Sequence, residues 1–250
     1  MTLKPLKAKL LASKFVAHGF FGRRGGHSDG PYASLNCSSY VGDNPENVEK
    51  NLELVKNALN VDKVVMLAQK GNNKCTIVDD SSVSGSEIAD AMATKIPRIA
   101  IGILSADCVP LLFFDDENMI IGAAHAGWHG ALSGVLESTL EALLKLGAKL
   151  SNLKIALGPC IWAQSYEVSD DFEEKFLDAA DCFCSVNSKR HFDLPKYCQK
   201  RLMKIGLREN QMEIVAVDTF TNSEDYFSYR AAKNGVCGRN ISAIGLIHRK

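Results

Sequence analysis

The sequence has no unbroken apolar run approaching the ~18 residues of a membrane-spanning helix, which argues against a membrane partner. It has no excess of either charge. Its 29 Lys and Arg balance 29 Asp and Glu, so nothing pulls it generally toward nucleic acid or an anionic surface. Paired Cys-x-x-Cys spacing is missing. The eight cysteines, at 37, 75, 108, 160, 182, 184, 198 and 237, are scattered along the chain. Lys4, Lys7, Lys9 and Lys14 interrupt any apolar leader segment. The expectation is a cytoplasmic protein with reduced thiols, most of them packing as small hydrophobes. There is no internal repeat, low-complexity tract or long linker, and no Gly-x-x-x-x-Gly-Lys-Ser/Thr phosphate loop. What remains is 250 residues, 46% hydrophobic and 23% charged. That is the composition of a globular chain able to bury a sizeable core, expected as one domain over 1–250.

Strand and helix patterns alternate. Residues 15–21 read as a first strand, followed by a glycine-rich loop over 22–34. A helix is expected over 45–59, with Asn44 as N-cap, Pro45 at N1, and Val48, Leu52, Val55 and Leu59 on one face. Residues 64–67, 75–78, 98–104, 153–157, 213–217 and 241–248 read as further strands. Helices are expected over 131–146, 170–180 and 194–205, the last capped by Asp193 and stopped by Gly206. Hairpin signals beside helical crossovers predict a mixed-sheet α/β (α+β) fold.

One pair of residues stands out. Residues 109–115 and 119–124 are apolar and strand-like, with Asp116-Glu117 between them as a turn. A two-residue loop pairs Asp115 with Asn118, and the same register sets Cys108 opposite His125. Cross-strand neighbours have Cβ atoms roughly 4.5–5.5 Å apart, near enough to share a metal or form a nucleophile–base couple. A one-residue slip would separate them to opposite faces. Three readings follow: a buried Cys beside a satisfied His, a thiolate nucleophile with its base, or a metal site, since thiolate and imidazole together suit Zn²⁺. Asp107 and His129 add titratable groups nearby, and residues 126–130 lead into a helix start that could attract an anion.

Other candidates are weaker. Gly22-Arg23-Arg24-Gly25-Gly26-His27-Ser28 could cradle a phosphate, or be a solvated turn. Gln69 follows a short strand. Tyr226-Phe227-Ser228-Tyr229-Arg230 could be edge-strand packing with a surface Arg, or a stacking wall with an anion clamp. His18, His191 and His248 have no visible partner and read as structural.

Taken in order, several segments resemble the laccase-domain, or polyphenol oxidase, family, which includes bacterial purine nucleoside phosphorylases and peptidoglycan editing factor. They are His18-Gly19-Phe20-Phe21, Arg23-x-Gly25-Gly26-x-Ser28, Gly30-Pro31-Tyr32-Ala33-Ser34-Leu35-Asn36, Val41-Gly42-Asp43, Ala106-Asp107-Cys108-x-Pro110, His125-Ala126-Gly127-Trp128, Gly158-Pro159, Tyr166-Glu167-Val168, Phe227-Ser228-Tyr229-Arg230 and Gly238-Arg239. The resemblance implies a mixed-sheet fold similar to that of toxin deamidases with a Cys-His couple. It also implies a zinc site of His, Cys and His, with Cys108 and His125 as two ligands. Copper suits such a site less well, because it has one thiolate and no dense His cluster. The implied activity is phosphorolysis of adenosine- and inosine-type nucleosides, with adenosine deamination in some members. Arg23, Asn36, Gln69 and Arg230 are then the expected substrate-binding residues.

The chain departs from the family where a Gln-Val-His-Gly segment is expected. Gln69-Lys70-Gly71-Asn72 stands there, so Gly71 replaces the third ligand, and His129 or His27 is left to complete the site. Two alternatives accompany the phosphorylase reading: a cysteine hydrolase or amidase using Cys108 and His125, and a non-catalytic member that binds a nucleoside or cell-wall precursor.

Overall fold

A computed structural model describes residues 3–247. The strands are β1 (Val16–Phe21), β2 (Lys63–Val65), β3 (Cys75–Ile77), β4 (Ala91–Thr94), β5 (Ile99–Ser105), β6 (Val109–Asp115), β7 (Ile120–Ala126), β8 (Leu153–Leu157), β9 (Phe183–Val186), β10 (Lys189–Phe192), β11 (Met212–Ile214) and β12 (Asn240–Leu246). The helices are α1 (Pro45–Leu59), α2 (Trp128–Ser133), α3 (Val135–Leu146) and α4 (Leu194–Lys204). His248 lies outside the described residues.

The mixed α/β class holds, with the strands divided over two sheets and a hairpin. One sheet has the order β1-β12-β5-β2, the other β11-β8-β6-β7-β4-β3, and β9 pairs with β10. Both sheets combine parallel and antiparallel neighbours. Phe20, Ile101, Ile103 and Ile244 of the first sheet and Leu112, Phe114, Ile121 and Ala123 of the second form a core between them. α1 covers the outer face of the first sheet through Val55 and Leu59. α3 and α4 cover the second through Leu136, Leu140, Leu143, Tyr197 and Leu202. The β6 side chains therefore alternate between two buried layers, which is why the run reads as continuously apolar.

Local chemistry explains the elements. α1 begins where Asn44 Oδ1 accepts the Glu46 N–H at 2.9 Å, with Pro45 in the first turn, and ends at Asn60 in the left-handed region. α4 is capped by Asp193, which accepts from Lys196 N at 3.0 Å.

Three expectations are corrected. The helix over 131–146 is two helices, α2 and α3, broken at Gly134, whose φ of 99° no ordinary helix tolerates. The helix over 170–180 is a pair of short 3₁₀ turns, Asp170–Lys175 and Ala180–Cys182. Phe172 and Phe176 fold there onto Phe183 and Phe192 in an aromatic cluster, and this packing outcompetes the regular helix. The 226–230 segment is a turn and not an edge strand.

Candidate active site

Cys108 and His125 do meet, but on a different register. Pro110, not Cys108, stands opposite His125, and the loop is four residues long, Asp116 to Met119. Asp115 sets that length. Its Oδ1 accepts the N–H groups of Glu117 (3.1 Å) and Asn118 (3.0 Å), while Oδ2 accepts from Asn118 Nδ2 and Lys149 N. Met119 closes the turn at φ 54°. The shift is two residues, so both side chains stay on one face, diagonal to each other. They converge over Gly127, where a Cβ would lie 3.1 Å from Cys108 Sγ and 3.8 Å from His125 Cε1. Glycine there makes room for the couple.

The third member of the constellation is Asp90, which sequence reading missed. It is fully buried just before β4, and its Oδ1 lies 2.8 Å from His125 Nδ1. The carboxylate also accepts backbone N–H groups from Lys70 (3.0 Å), Gly71 (2.9 Å) and Asn72 (2.8 Å). Burial alone would raise the Asp90 pKa; the His125 bond and these N–H donors overcome it and hold the carboxyl below its ordinary value. The same balance acts on His125. Burial would lower its pKa, but the neighbouring Cys108 and the Asp90 carboxylate hold it above 6.5. With Nδ1 taken by Asp90, Nε2 is the nitrogen left to face Cys108 and the cavity. The one available signal was an acidic residue set within Ala89-Asp90-Ala91, a stretch otherwise fit for burial.

Cys108 ends the turn by which the chain crosses from β5 in one sheet to β6 in the other. Asp107 holds that turn at φ 91°. Its carboxylate accepts from Thr219 Oγ1 at 2.6 Å and Arg230 N at 2.7 Å. The couple opens into a cavity of about 560 Å³, also lined by Lys70, Trp128, Tyr166, Tyr229, Arg230 and Arg239.

The predicted binding residues separate. Arg230 lines the cavity, with one guanidinium nitrogen on Glu167 O at 3.0 Å and its plane over Tyr166. Gln69 lines it too, but its amide is spent on both backbone groups of Leu104, at 2.8 Å each, clamping the end of β5. Asn36 is corrected: it is fully buried outside the cavity, and its amide oxygen accepts from Ser38 N and from Arg239 N. It acts on the site indirectly, by holding two cavity residues, Ser38 and Arg239, the second a cation absent from the predicted binding set. Arg23 is corrected as well. It lies off the cavity, its guanidinium donating to Ala33 O at 2.8 Å and Ser223 O at 2.9 Å and stacking on Phe227. Four N–H groups of its loop are already engaged, those of Arg23, Gly26, His27 and Ser28 donating to Asp225 O, Ser34 Oγ, Asn51 Oδ1 and Ser34 O, which weakens the loop as a phosphate cradle.

Neither proposed third ligand arrives. His27 is exposed on that loop, and His129 is exposed with Nδ1 2.7 Å from Gly71 O; neither lines the cavity. Among the described residues no group of three His, Cys, Asp or Glu side chains is placed to hold a metal ion. Cys108 and His125 could offer two donors to zinc, with Asp90 behind the imidazole as an orienting carboxylate. A catalytic zinc site uses three protein ligands, so the donor set falls one short.

A buried carboxylate, an imidazole and a thiol lined up at a polar, aromatic cavity define the candidate site of this mixed α/β protein. Residues 17–247 match the family model described as multi-copper polyphenol oxidoreductase laccase, and the chain belongs to that family. A purine nucleoside phosphorylase of Bacteroides thetaiotaomicron is 29% identical over 252 residues, covering 94% of this chain and 92% of that one. Purine nucleoside phosphorylase YfiH of Escherichia coli is 32% identical over 231 residues, covering 90% and 91%. The crystal structure of the hypothetical protein YfiH of Bacillus licheniformis superposes with a TM-score of 0.86 at 26% identity, covering 92% of each chain. Among the described residues no helix is long and apolar enough to cross a membrane.

Proposed function

We propose that the protein is a cytoplasmic purine nucleoside phosphorylase acting on adenosine- and inosine-type nucleosides, with inorganic phosphate as second substrate. The observation that carries this reading is the content of one cavity. Aromatic faces (Tyr40, Trp128, Tyr166, Tyr229) suit a planar base, and cations (Lys70, Arg230, Arg239) suit a phosphate, around the Cys108–His125–Asp90 group. The relatives named purine nucleoside phosphorylase, which match nearly the whole chain, support it.

In the reaction a phosphate oxygen attacks the anomeric carbon C1′. The C1′–N9 bond breaks, its electron pair leaves with the purine, and ribose 1-phosphate is formed. Arg239 and Arg230 hold the phosphate and offset its charge. His125, oriented by Asp90, gives the departing base a proton at N7 from Nε2. Zinc, when bound, would supply Lewis acidity between Cys108 and His125. No step is assigned to it, because the donor set is one ligand short. Hydrolytic deamination of adenosine calls on a metal-activated water and is left out of the reading for the same reason.

The order Asp90–His125–Cys108 favours a second reading, a cysteine hydrolase or amidase with Cys108 as nucleophile. Incubation with inosine or adenosine separates the readings. Phosphate-dependent release of free base supports phosphorolysis. Nucleoside binding without release leaves a binding protein, and turnover of an amide with alkylation-sensitive Cys108 leaves the hydrolase.

A further inference from the structure

The two donors of the site point at one place, and the third side of that place is bare. Cys108 Sγ and the His125 ring both border the position of a Gly127 Cβ. Residues 70–72 wrap the far side, their N–H groups gathered on Asp90. Gly71 N donates to the same Oδ1 that His125 Nδ1 holds, at 2.9 and 2.8 Å. Gly71 thus sits beside the imidazole and shares its carboxylate. It has no side chain, and a Cβ built on it would meet nothing within 4 Å. His129, which is exposed, bonds to the Gly71 carbonyl through Nδ1 and lies outside the cavity.

We propose that this protein does not retain zinc as a resident cofactor, that position 71 is the missing donor, and that Cys108 is consequently a metal-free thiol. Three protein ligands are the rule for catalytic zinc. Loss of even an outer contact costs about 10–100-fold in metal affinity, and loss of a ligand costs more. Position 71 could carry a donor. Its φ of 72° is in the left-handed region, where His, Asn and Asp are the side chains most often accepted. The inference is separable from phosphorolysis, since metal content is measured whether or not nucleosides turn over.

The test is zinc content of protein grown in zinc-supplemented medium and purified by gel filtration without chelator. Wild type is expected to carry less than about a tenth of an equivalent, and Gly71→His about one equivalent. Gly71→Asn, which makes the same backbone demand without an imidazole, and the double variant Gly71→His with Cys108→Ser are expected at the wild-type level. A second readout is iodoacetamide labelling of Cys108, located by peptide mass spectrometry. Labelling of wild type should be the same with and without chelator, whereas in zinc-loaded Gly71→His it should slow at least about tenfold until zinc is stripped. The proposal is overturned if wild type carries about one equivalent that Cys108→Ser removes. It is equally overturned if Gly71→His holds no more zinc than Gly71→Asn. The wild-type measurement stands even if a variant fails to fold.

Discussion

His125 and His18 show how the same side chain is put to opposite uses by its neighbours. At His125 a carboxylate and a thiol surround the ring, and the charged form is favoured. Asp90→Asn keeps one of the two acceptor oxygens and removes the negative charge behind Nδ1. It is expected to lower kcat about a hundredfold or more with KM for nucleoside little changed. The alkaline limb of the rate profile should move to lower pH, which loss of packing alone would not produce.

At His18 the ring is buried and Nε2 accepts the Ala8 N–H at 3.0 Å. Burial, followed by the nearby Lys7, lowers its pKa from 6.5 to about 4. Between these values the unfolded chain takes up a proton that the native state refuses. The stability is full above pH 6.5 and is lost as pH falls toward 4, by about 3 kcal/mol. Urea titrations at pH 7 and pH 4.5 check this, and the difference should shrink in His18→Gln.

At the scale of elements, the β6–β7 hairpin decides the geometry of the site. The two apolar strands and the existence of a turn between them were legible in the sequence. The loop length was not, because it depends on Asp115 gathering four donors, one of them from Lys149 beyond α3. The error was two residues, so Cys108 and His125 lost their direct pairing but still share a face. Asp115→Ala removes those acceptors and is expected to cost about 1–3 kcal/mol. It should also loosen the register of the hairpin, read as faster amide exchange at its turn end.

α1 and α4 were legible because their caps are local: Asn44-Pro45 and Asp193 act within three residues. β4 was missed because Ala91-Met92-Ala93-Thr94 has little strand signal of its own; it is held by β3 and β7. Asp90 was missed with it. Arg23 and Asn36 were expected to bind substrate; partners about two hundred residues away engage both in structural bonds that the sequence does not show.

At the scale of the molecule, the two sheets meet closely beside the site. Gly158, just after β8, packs against Phe20 of β1, and a Cβ there would lie 2.2 Å from the Phe20 ring. Both segments were marked by motif alone, with no hint that they touch. Gly158→Ala is expected to destabilise the protein by about 1–3 kcal/mol, with Phe20→Leu restoring part of the loss in a double-mutant cycle.

The cavity beside this junction is where the central claim stands or falls, and product stoichiometry measures it most directly. Inosine and adenosine are incubated with the enzyme and phosphate, and free base and ribose 1-phosphate are quantified together. The account predicts the two products in equal amounts, none without phosphate, and a raised KM for phosphate in Arg239→Ala. Free ribose in place of ribose 1-phosphate, or no base released in the presence of phosphate, would contradict it.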